Sequence, residues 1–353
     1  MGSLFGDLDF RVRRTADKYG PKRLIVLDLG AASTKAVVVT RLQSVVRWET
    51  AALLPPVAED MTFGGMELAA QLRAAQISGE YISMVVSGRN STVRLLNFPG
   101  TPSAPADLQK QVLQALGLNE AHAVVHEVAF QLGTQDKPEY GVLTASIPAA
   151  EVTKLRDAAT AANLKPVSLM LSGVVAVNMV QSRPSLLPED GAVGFLEIGA
   201  ANSVLLVFAG RDLALARHLR IGLSMMLEAL RAATQLDMET AIKLFHSGSF
   251  DFSANIAATV KPWLHQIGIS LDFFERRYGR SVGVLNLFGG GARSQVIEGM
   301  IAERTRCPVN RWSALEGLEG LTPPASAGDD AAPFALAAAE ALRTMRIGDS
   351  HAV

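Results

Sequence analysis

A single cysteine, Cys307, stands in 353 residues. No disulfide can close within the chain and no cysteine cluster can hold zinc, so the sequence reads as that of a protein from a reducing compartment. Charge of either sign is scarce: Lys, Arg, Asp and Glu make up 19% of the residues, below the usual quarter. The 33 basic and 34 acidic side chains leave a formal net charge of −1. That balance offers no basic field to neutralise phosphates along a nucleic acid, and no nucleic-acid partner is expected. Long apolar runs are missing too. Val204 to Ala209 is strand-sized, and Ala331 to Leu342 is broken by Glu340, whereas a membrane span needs about 18 consecutive apolar residues or more. Arg13-Arg14 is not followed by an apolar segment, so an export signal is not expected and the protein is expected to stay inside the cell.

Apolar residues nonetheless reach 49% and mean hydropathy is +0.22. The length suits about two compact units at roughly 100 to 200 residues each, and the weakly polar surface suits a protein that sits against something. Near the start, Leu4, Phe5, Leu8 and Phe10 precede Arg11, Arg13, Arg14 and Lys18. Residues 1–23 read as an irregular arm packed on the first unit, with contact to an anionic membrane as the alternative.

The most informative feature is a repeat. Leu27-Asp28-Leu29-Gly30-Ala31-Ala32-Ser33-Thr34 returns as Leu196-Glu197-Ile198-Gly199-Ala200-Ala201-Asn202-Ser203, a constant 169 residues later (197 − 28). Aliphatic runs flank both copies, which predicts strand, tight turn, strand, with a carboxylate at the end of the first strand and a glycine permitting the turn. A lone D-x-G hairpin is common. Eight aligned positions with matching flanks imply a duplicated protein whose two turns face one cleft.

Between the copies, Tyr81 to Val86 and Val93 to Leu96 read as strands, Ala106 to Leu116 as a helix, Ala123 to Phe130 and Tyr140 to Ile147 as strands, and Ala149 to Ala162 as a helix. Val174 to Val180 reads as a buried helix. Beyond the second copy, helices are predicted at Leu223 to Leu230 and Met238 to His246. A longer one carries a core stripe through Ile256, Val260, Leu264, Ile267, Leu271 and Phe274. The strand Gly283 to Phe288 runs into Gly289-Gly290-Gly291 and a helix to Arg306. A loop over Pro323 to Ala332 precedes a last helix, Phe334 to Arg343.

A strand ending in glycines and opening into a helix presents backbone N–H groups and a positive dipole end, which suits phosphate or nucleotide. Asp28 and Glu197, at equivalent places in the repeat, are suited to hold a magnesium ion through water while the turn amides cradle phosphates, with Lys35 as a point charge. Taken singly, each is as well read as a solvated hairpin charge, and glycines at such a turn are often merely steric. Cys307 reads as a small buried hydrophobe. His122 and His126, four apart in a strand, build no helical metal site. Arg211, Arg217 and Arg220 read as a solvated face.

Together these residues resemble the two phosphate loops and the adenosine motif of the actin-like ATPase superfamily: Asp28-x-Gly30 with Lys35, Glu197-x-Gly199, and Leu287-Phe288-Gly289-Gly290-Gly291-Ala292 before Pro308-Val309. Within it the sequence is most similar to the PilM type of type IV pilus assembly. Val93 to Pro99, Asn163 to Pro166, Arg220-Ile221-Gly222 and Ala338 to Arg343 extend the likeness through most of the chain. The resemblance implies an α/β, actin-like (ribonuclease H-like) duplicated fold of two lobes, 24–180 and 181–353, with a small inserted α/β subdomain at about 93–165.

It also implies ATP and Mg2+ as ligands. Asp28, Gly30, Ala31, Ser33, Thr34, Lys35, Glu197, Gly199, Ala200, Asn202, Gly222, Gly289, Gly290 and Gly291 would bind nucleotide, with Asp28 and Glu197 at the metal. The implied role is a cytoplasmic scaffold, peripheral at the inner membrane, that binds the N-terminal tail of a PilN-like inner-membrane protein, with other pilus assembly proteins as further partners. Departures from the pattern are Glu197 where the family has Asp, Leu223 where it has a second glycine, and Ile242 and Phe245 in a helix that usually carries an acid and a lysine. No residue stands out as a base for activating water, which leaves at most a slow ATPase. The alternatives are a small-molecule kinase of the same superfamily and a scaffold that has lost its nucleotide.

Overall fold

Aliphatic strands buried on both faces cannot sit at a surface, so each must be flanked and covered. The computed structural model describes residues 21–346 except 44, 57–63, 88–89, 101–104, 120–121, 135–136, 319 and 329. Nearly all of the expected N-terminal arm therefore lies outside the described residues. In β1 (Arg23–Leu29), Leu24 to Leu27 are fully buried. It pairs antiparallel with β2 (Thr34–Leu42), placing Asp28 opposite Lys35, and β2 pairs with β3 (Val45–Leu54). After α1 (Gly65–Ala74), β4 (Tyr81–Val86) returns parallel to β1.

The expected insertion follows as β5 (Thr92–Pro99), α2 (Pro105–Leu116), β6 (His122–Thr134) and β7 (Lys137–Pro148), with β5 and β6 both antiparallel to β7. Here α2 sets Leu108 and Val112 on Tyr140 and Val142, and Phe98 stacks on Tyr140 at 5.6 Å. Then come α3 (Ala149–Ala161) and β8 (Lys165–Leu171). The proline in β8 is tolerated because β8 closes the edge of the sheet β3-β2-β1-β4-β8, with an irregularity opposite Ile82/Ser83. Helix α4 (Ser172–Gln181), expected as buried, follows in the chain.

A second unit repeats the plan. β9 (Ala192–Ile198) pairs antiparallel with β10 (Ser203–Ala209), and β10 with β11 (Asp212–Leu219). Three helices follow, α5 (Leu223–Thr234), α6 (Met238–Ser247) and α7 (Ser253–Tyr278). Then β12 (Val284–Phe288) runs parallel to β9, and α8 (Gln295–Thr305) leads to β13 (Val309–Arg311), parallel to β12. The order β13-β12-β9-β10-β11 is the counterpart of the first unit's, strand for strand. Of the predicted stripe of α7, Ile256, Val260, Ile267 and Phe274 are buried in the core with Trp263, against Leu227, Leu230 and Leu285, while Leu264 and Leu271 are partly buried beside it.

The last helix, α9 (Ala335–Arg346), corrects the expected boundary of the second lobe at 353. By contacts the chain divides into 1–179 with 314–353, and 180–313. The reason is packing, for α9 lies on β1, β2 and β4 and buries Ala337, Ala338 and Ala341 completely, small side chains that let a helix approach a sheet closely. Its fully buried Glu340 is fixed by Arg343 at 2.7 Å and by the hydroxyls of Ser83 and Ser168, each at 2.8 Å.

Candidate functional site

In the first unit the turn after β1 closes on itself. The Gly30 N–H donates to the Asp28 carbonyl at 3.1 Å, and a β-carbon at Gly30 would stand 2.8 Å from the Ser33 carbonyl oxygen and 2.7 Å from Lys35 Nζ. Glycine is thus required by close approach, as the repeat implied. Asp28 is 5% exposed, and its Oδ2 lies 3.6 Å from Lys35 Nζ. Burial pushes this carboxyl above its ordinary value, with the Lys35 charge and hydrogen bond pulling the other way. Ala31 is exposed, Ser33 and Lys35 are half-buried, and Thr34 is buried. The structure thus brings Asp28, Gly30, Ser33 and Lys35 together at the ends of β1 and β2.

In the second unit the equivalent turn is interlocked with a helix. The Gly199 N–H donates to the Asn202 carbonyl at 2.9 Å, and a β-carbon at Gly199 would stand 2.9 Å from that same oxygen. The first amides of α5, Leu223 and Ser224, donate to the Gly199 and Ala200 carbonyls at 2.9 and 2.8 Å. The helix N-terminus is therefore capped by the turn, and these two donors are committed to protein acceptors. Gly222 makes the interlock possible, since a β-carbon there would lie 2.6 Å from three backbone atoms of the turn, at Gly199, Ala200 and Asn202. Glu197 and Asn202 are buried, at 4% and 3% exposure.

The glycine run belongs to the same assembly. Gly289 has φ +88°, and its β-carbon would meet the Ile198 carbonyl oxygen at 2.8 Å, while one at Gly291 would overlap the Ile198 side chain. Both glycines are required by packing over the end of β9. Gly290 is exposed, with Leu223 Cδ2 3.3 Å from where its β-carbon would stand. Ser294 caps α8 by accepting from the Ile297 N–H at 3.5 Å. Of the departures, Phe245 is fully buried and stacked on Phe252 at 5.2 Å, whereas Ile242 is 38% exposed.

Sequence reasoning missed His246, one position beyond Phe245. It lies beside Gly290 and Arg293, and burial first, then the Arg293 charge, hold its imidazole below its ordinary value against a hydrogen bond with the Gly290 backbone. It also missed the α5 interlock, whose only signal was Gly222 next to a helical pattern. Cys307 is buried, its Sγ 3.2 Å from the Val282 carbonyl, with burial pushing its thiol up. Arg211, Arg217 and Arg220 are exposed as expected, and Arg217 donates to Ser270 Oγ at 2.7 Å.

Among the described residues no group of three or more His, Cys, Asp or Glu side chains could hold a metal, and no helix is long and apolar enough to cross a membrane. Asp28 and Glu197 lie in different units, each buried at the end of a central strand.

No protein-family model matches the chain. No curated protein matches it in sequence. Among solved structures, it is similar to a PilM-PilN type IV pilus biogenesis complex, with 19% identity and a TM-score of 0.73 over 91% of this chain and 98% of that one. It is also similar to MreB 5 of Spiroplasma citri bound to AMPPNP, with 11% identity and a TM-score of 0.52 over 94% and 99% of the two chains. With the duplicated strand order of its two sheets, these likenesses show that the chain has an actin-like, two-lobed α/β fold.

Proposed function

We propose that this protein is a cytoplasmic, actin-like scaffold of a type IV pilus assembly complex, peripheral at the inner membrane, that captures the N-terminal tail of a PilN-like inner-membrane protein. The likeness to the PilM-PilN complex over 98% of that chain carries this reading. The insertion supports it: β6 stands at the edge of its sheet, paired with β7 alone among the described strands, and Leu96, Phe98 and Leu116 are partly buried beside its apolar cluster. An open edge with apolar pockets is what an added peptide strand requires. Isothermal titration of the full chain with the synthetic tail of a PilN-like protein, with and without ATP and magnesium, is expected to show saturable binding. No heat under either condition sinks the partner assignment.

ATP with magnesium is the proposed ligand of the turns. In the first unit Asp28, Gly30, Ser33 and Lys35, and in the second Glu197, Gly199 and the exposed Gly289 and Gly290, are the residues that would hold it. Each unit offers a carboxylate at a strand end beside a glycine turn, groups of the kind a magnesium-bound polyphosphate uses, and the first adds Lys35 as a positive charge. The bound nucleotide would supply a charged, ordering ligand, and turnover is not part of the role. One observation favours a second reading, a scaffold without nucleotide: Leu223 fills the space over Gly290, where the resemblance called for a glycine. A melting temperature that rises with ATP and magnesium supports the first reading, and one that stays flat at high concentration supports the second.

A further inference from the structure

The chain joins the first unit beside the tip of the β2–β3 hairpin. There the Arg41 N–H donates to the Lys22 carbonyl at 2.8 Å, and Arg23 stands opposite Thr40, which in turn stands opposite Arg47. At the tip Leu42 and Val45 form a cross-strand pair. They are 58% and 61% exposed, whereas Val37, Val38, Val39 and Trp48 of the same two strands are buried. Side chains alternate between the faces of a strand, so Leu42, Val45, Arg47 and Arg23 share one face.

Two exposed aliphatics alone are unremarkable, but the charge around this pair is of one sign. Lys22 and Arg47 are exposed and have no carboxylate partner among the described residues. Arg23 is held by Glu49 at 3.0 Å, and no acidic residue stands in the sequence between Asp28 and Glu49. The sequence that enters at Lys22 continues the pattern. Residues 11–23 carry Arg11, Arg13, Arg14, Lys18, Lys22 and Arg23 against Asp17 alone, after Leu4, Phe5, Leu8 and Phe10 with Asp7 and Asp9 among them. A stable protein interface buries on the order of 1,000 Å² around an apolar centre, far more than two aliphatic side chains offer. An anionic bilayer needs no such centre, because aliphatic tips reach the acyl boundary while lysine and arginine sum their attraction to the headgroup phosphates.

We propose that the β2–β3 tip is a contact surface for an anionic phospholipid bilayer. Leu42 and Val45 enter the headgroup–acyl boundary, and Lys22, Arg47 and the basic residues of 11–18 lie against the phosphates. This deepens the membrane-peripheral part of the proposed function and rests on that part alone. Vesicles carry no protein, so failure of tail capture leaves this test standing, and failure here leaves tail capture standing.

The full chain is floated with vesicles of phosphatidylcholine alone and of phosphatidylglycerol mixed with phosphatidylcholine. Binding is expected to the anionic vesicles only, at about 0.1 M salt, and is expected to fall steeply at about 1 M, where the screening length drops from roughly 10 to 3 Å. Leu42→Ser with Val45→Ser, and separately Lys22→Glu with Arg47→Glu, should each weaken it about tenfold or more, with circular dichroism confirming that both variants fold. Equal binding to neutral vesicles, or no binding at the lower salt, overturns the proposal. So do tip variants that bind as the wild type does, which would leave lipid contact to residues 1–20 alone. Self-association in sedimentation velocity that is lost with Leu42→Ser and Val45→Ser, without vesicle binding, also overturns it and would make the tip an interface between copies of this chain.

Discussion

Asp28 and Glu340 are two buried carboxylates with opposite physics. Burial raises Asp28 and Lys35 only partly offsets it, so its ionised form is disfavoured by folding. Its contribution to stability is present below the unfolded value and lost as pH rises through the folded one. Asp28→Asn is therefore expected to leave the melting temperature without nucleotide unchanged or raised at pH 7 while abolishing any shift given by ATP and magnesium. A loss of several degrees without nucleotide would instead make Asp28 a structural partner of Lys35. For Glu340, burial also pushes upward, but Arg343 and the hydroxyls of Ser168 and Ser83 outweigh it and hold the carboxyl below its ordinary value. Its contribution is full above the unfolded value of about 4.3 and is lost as pH falls through the lower folded one. Glu340→Gln should destabilise by about 3 to 5 kcal/mol at pH 7, and the gap to wild type should shrink in melts run at pH 3. A gap that stays constant with pH refutes this account. From the sequence, Glu340 was only a break in an apolar run, since the serine hydroxyls that bond it, Ser83 and Ser168, lie 257 and 172 residues away.

Elements defined by a local pattern were legible in the sequence. The repeat, the glycine run and the α7 stripe each write their structure in consecutive residues. β3 was not legible because its exposure mixes Arg47 and Glu49 with aliphatics, and α1 was not because only Leu68 and Leu72 of it are buried. The turn–α5 interlock depends on hydrogen bonds between residues 24 apart (223 − 199 and 224 − 200), which no periodicity records. It gives a paired test. Gly222→Ala pushes a methyl into three backbone atoms at 2.6 Å and should cost about 3 kcal/mol or more. Gly299→Ala sits in α8 with nothing within 4 Å, and should stabilise by about 0.5 to 1 kcal/mol through helix propensity. Thermal melts of both variants check the pair. Equal effects would show that crowding at Gly222 is relieved by backbone movement.

At the scale of the molecule, the sequence announced the duplication but not how the chain would be shared between its halves. Five strands of each sheet repeat one order, yet one unit is contiguous, 180–313, while the other takes up α9 after the chain has left it. Proximity in sequence assigned those last residues to the second lobe, and the buried alanines of α9 place them on β1, β2 and β4. A sheet of fully buried aliphatics cannot keep one face bare in water. Residues 180–313 expressed alone should therefore fold and melt cooperatively. Residues 21–179 alone should aggregate or remain without a cooperative melt, and adding 314–346 as a separate peptide should restore it. The dependence should weaken with Glu340→Gln in that peptide, because the carboxylate bonds Ser83 and Ser168 of the first fragment. A cooperative transition for 21–179 without the peptide would show that α9 decorates the first unit rather than completing it.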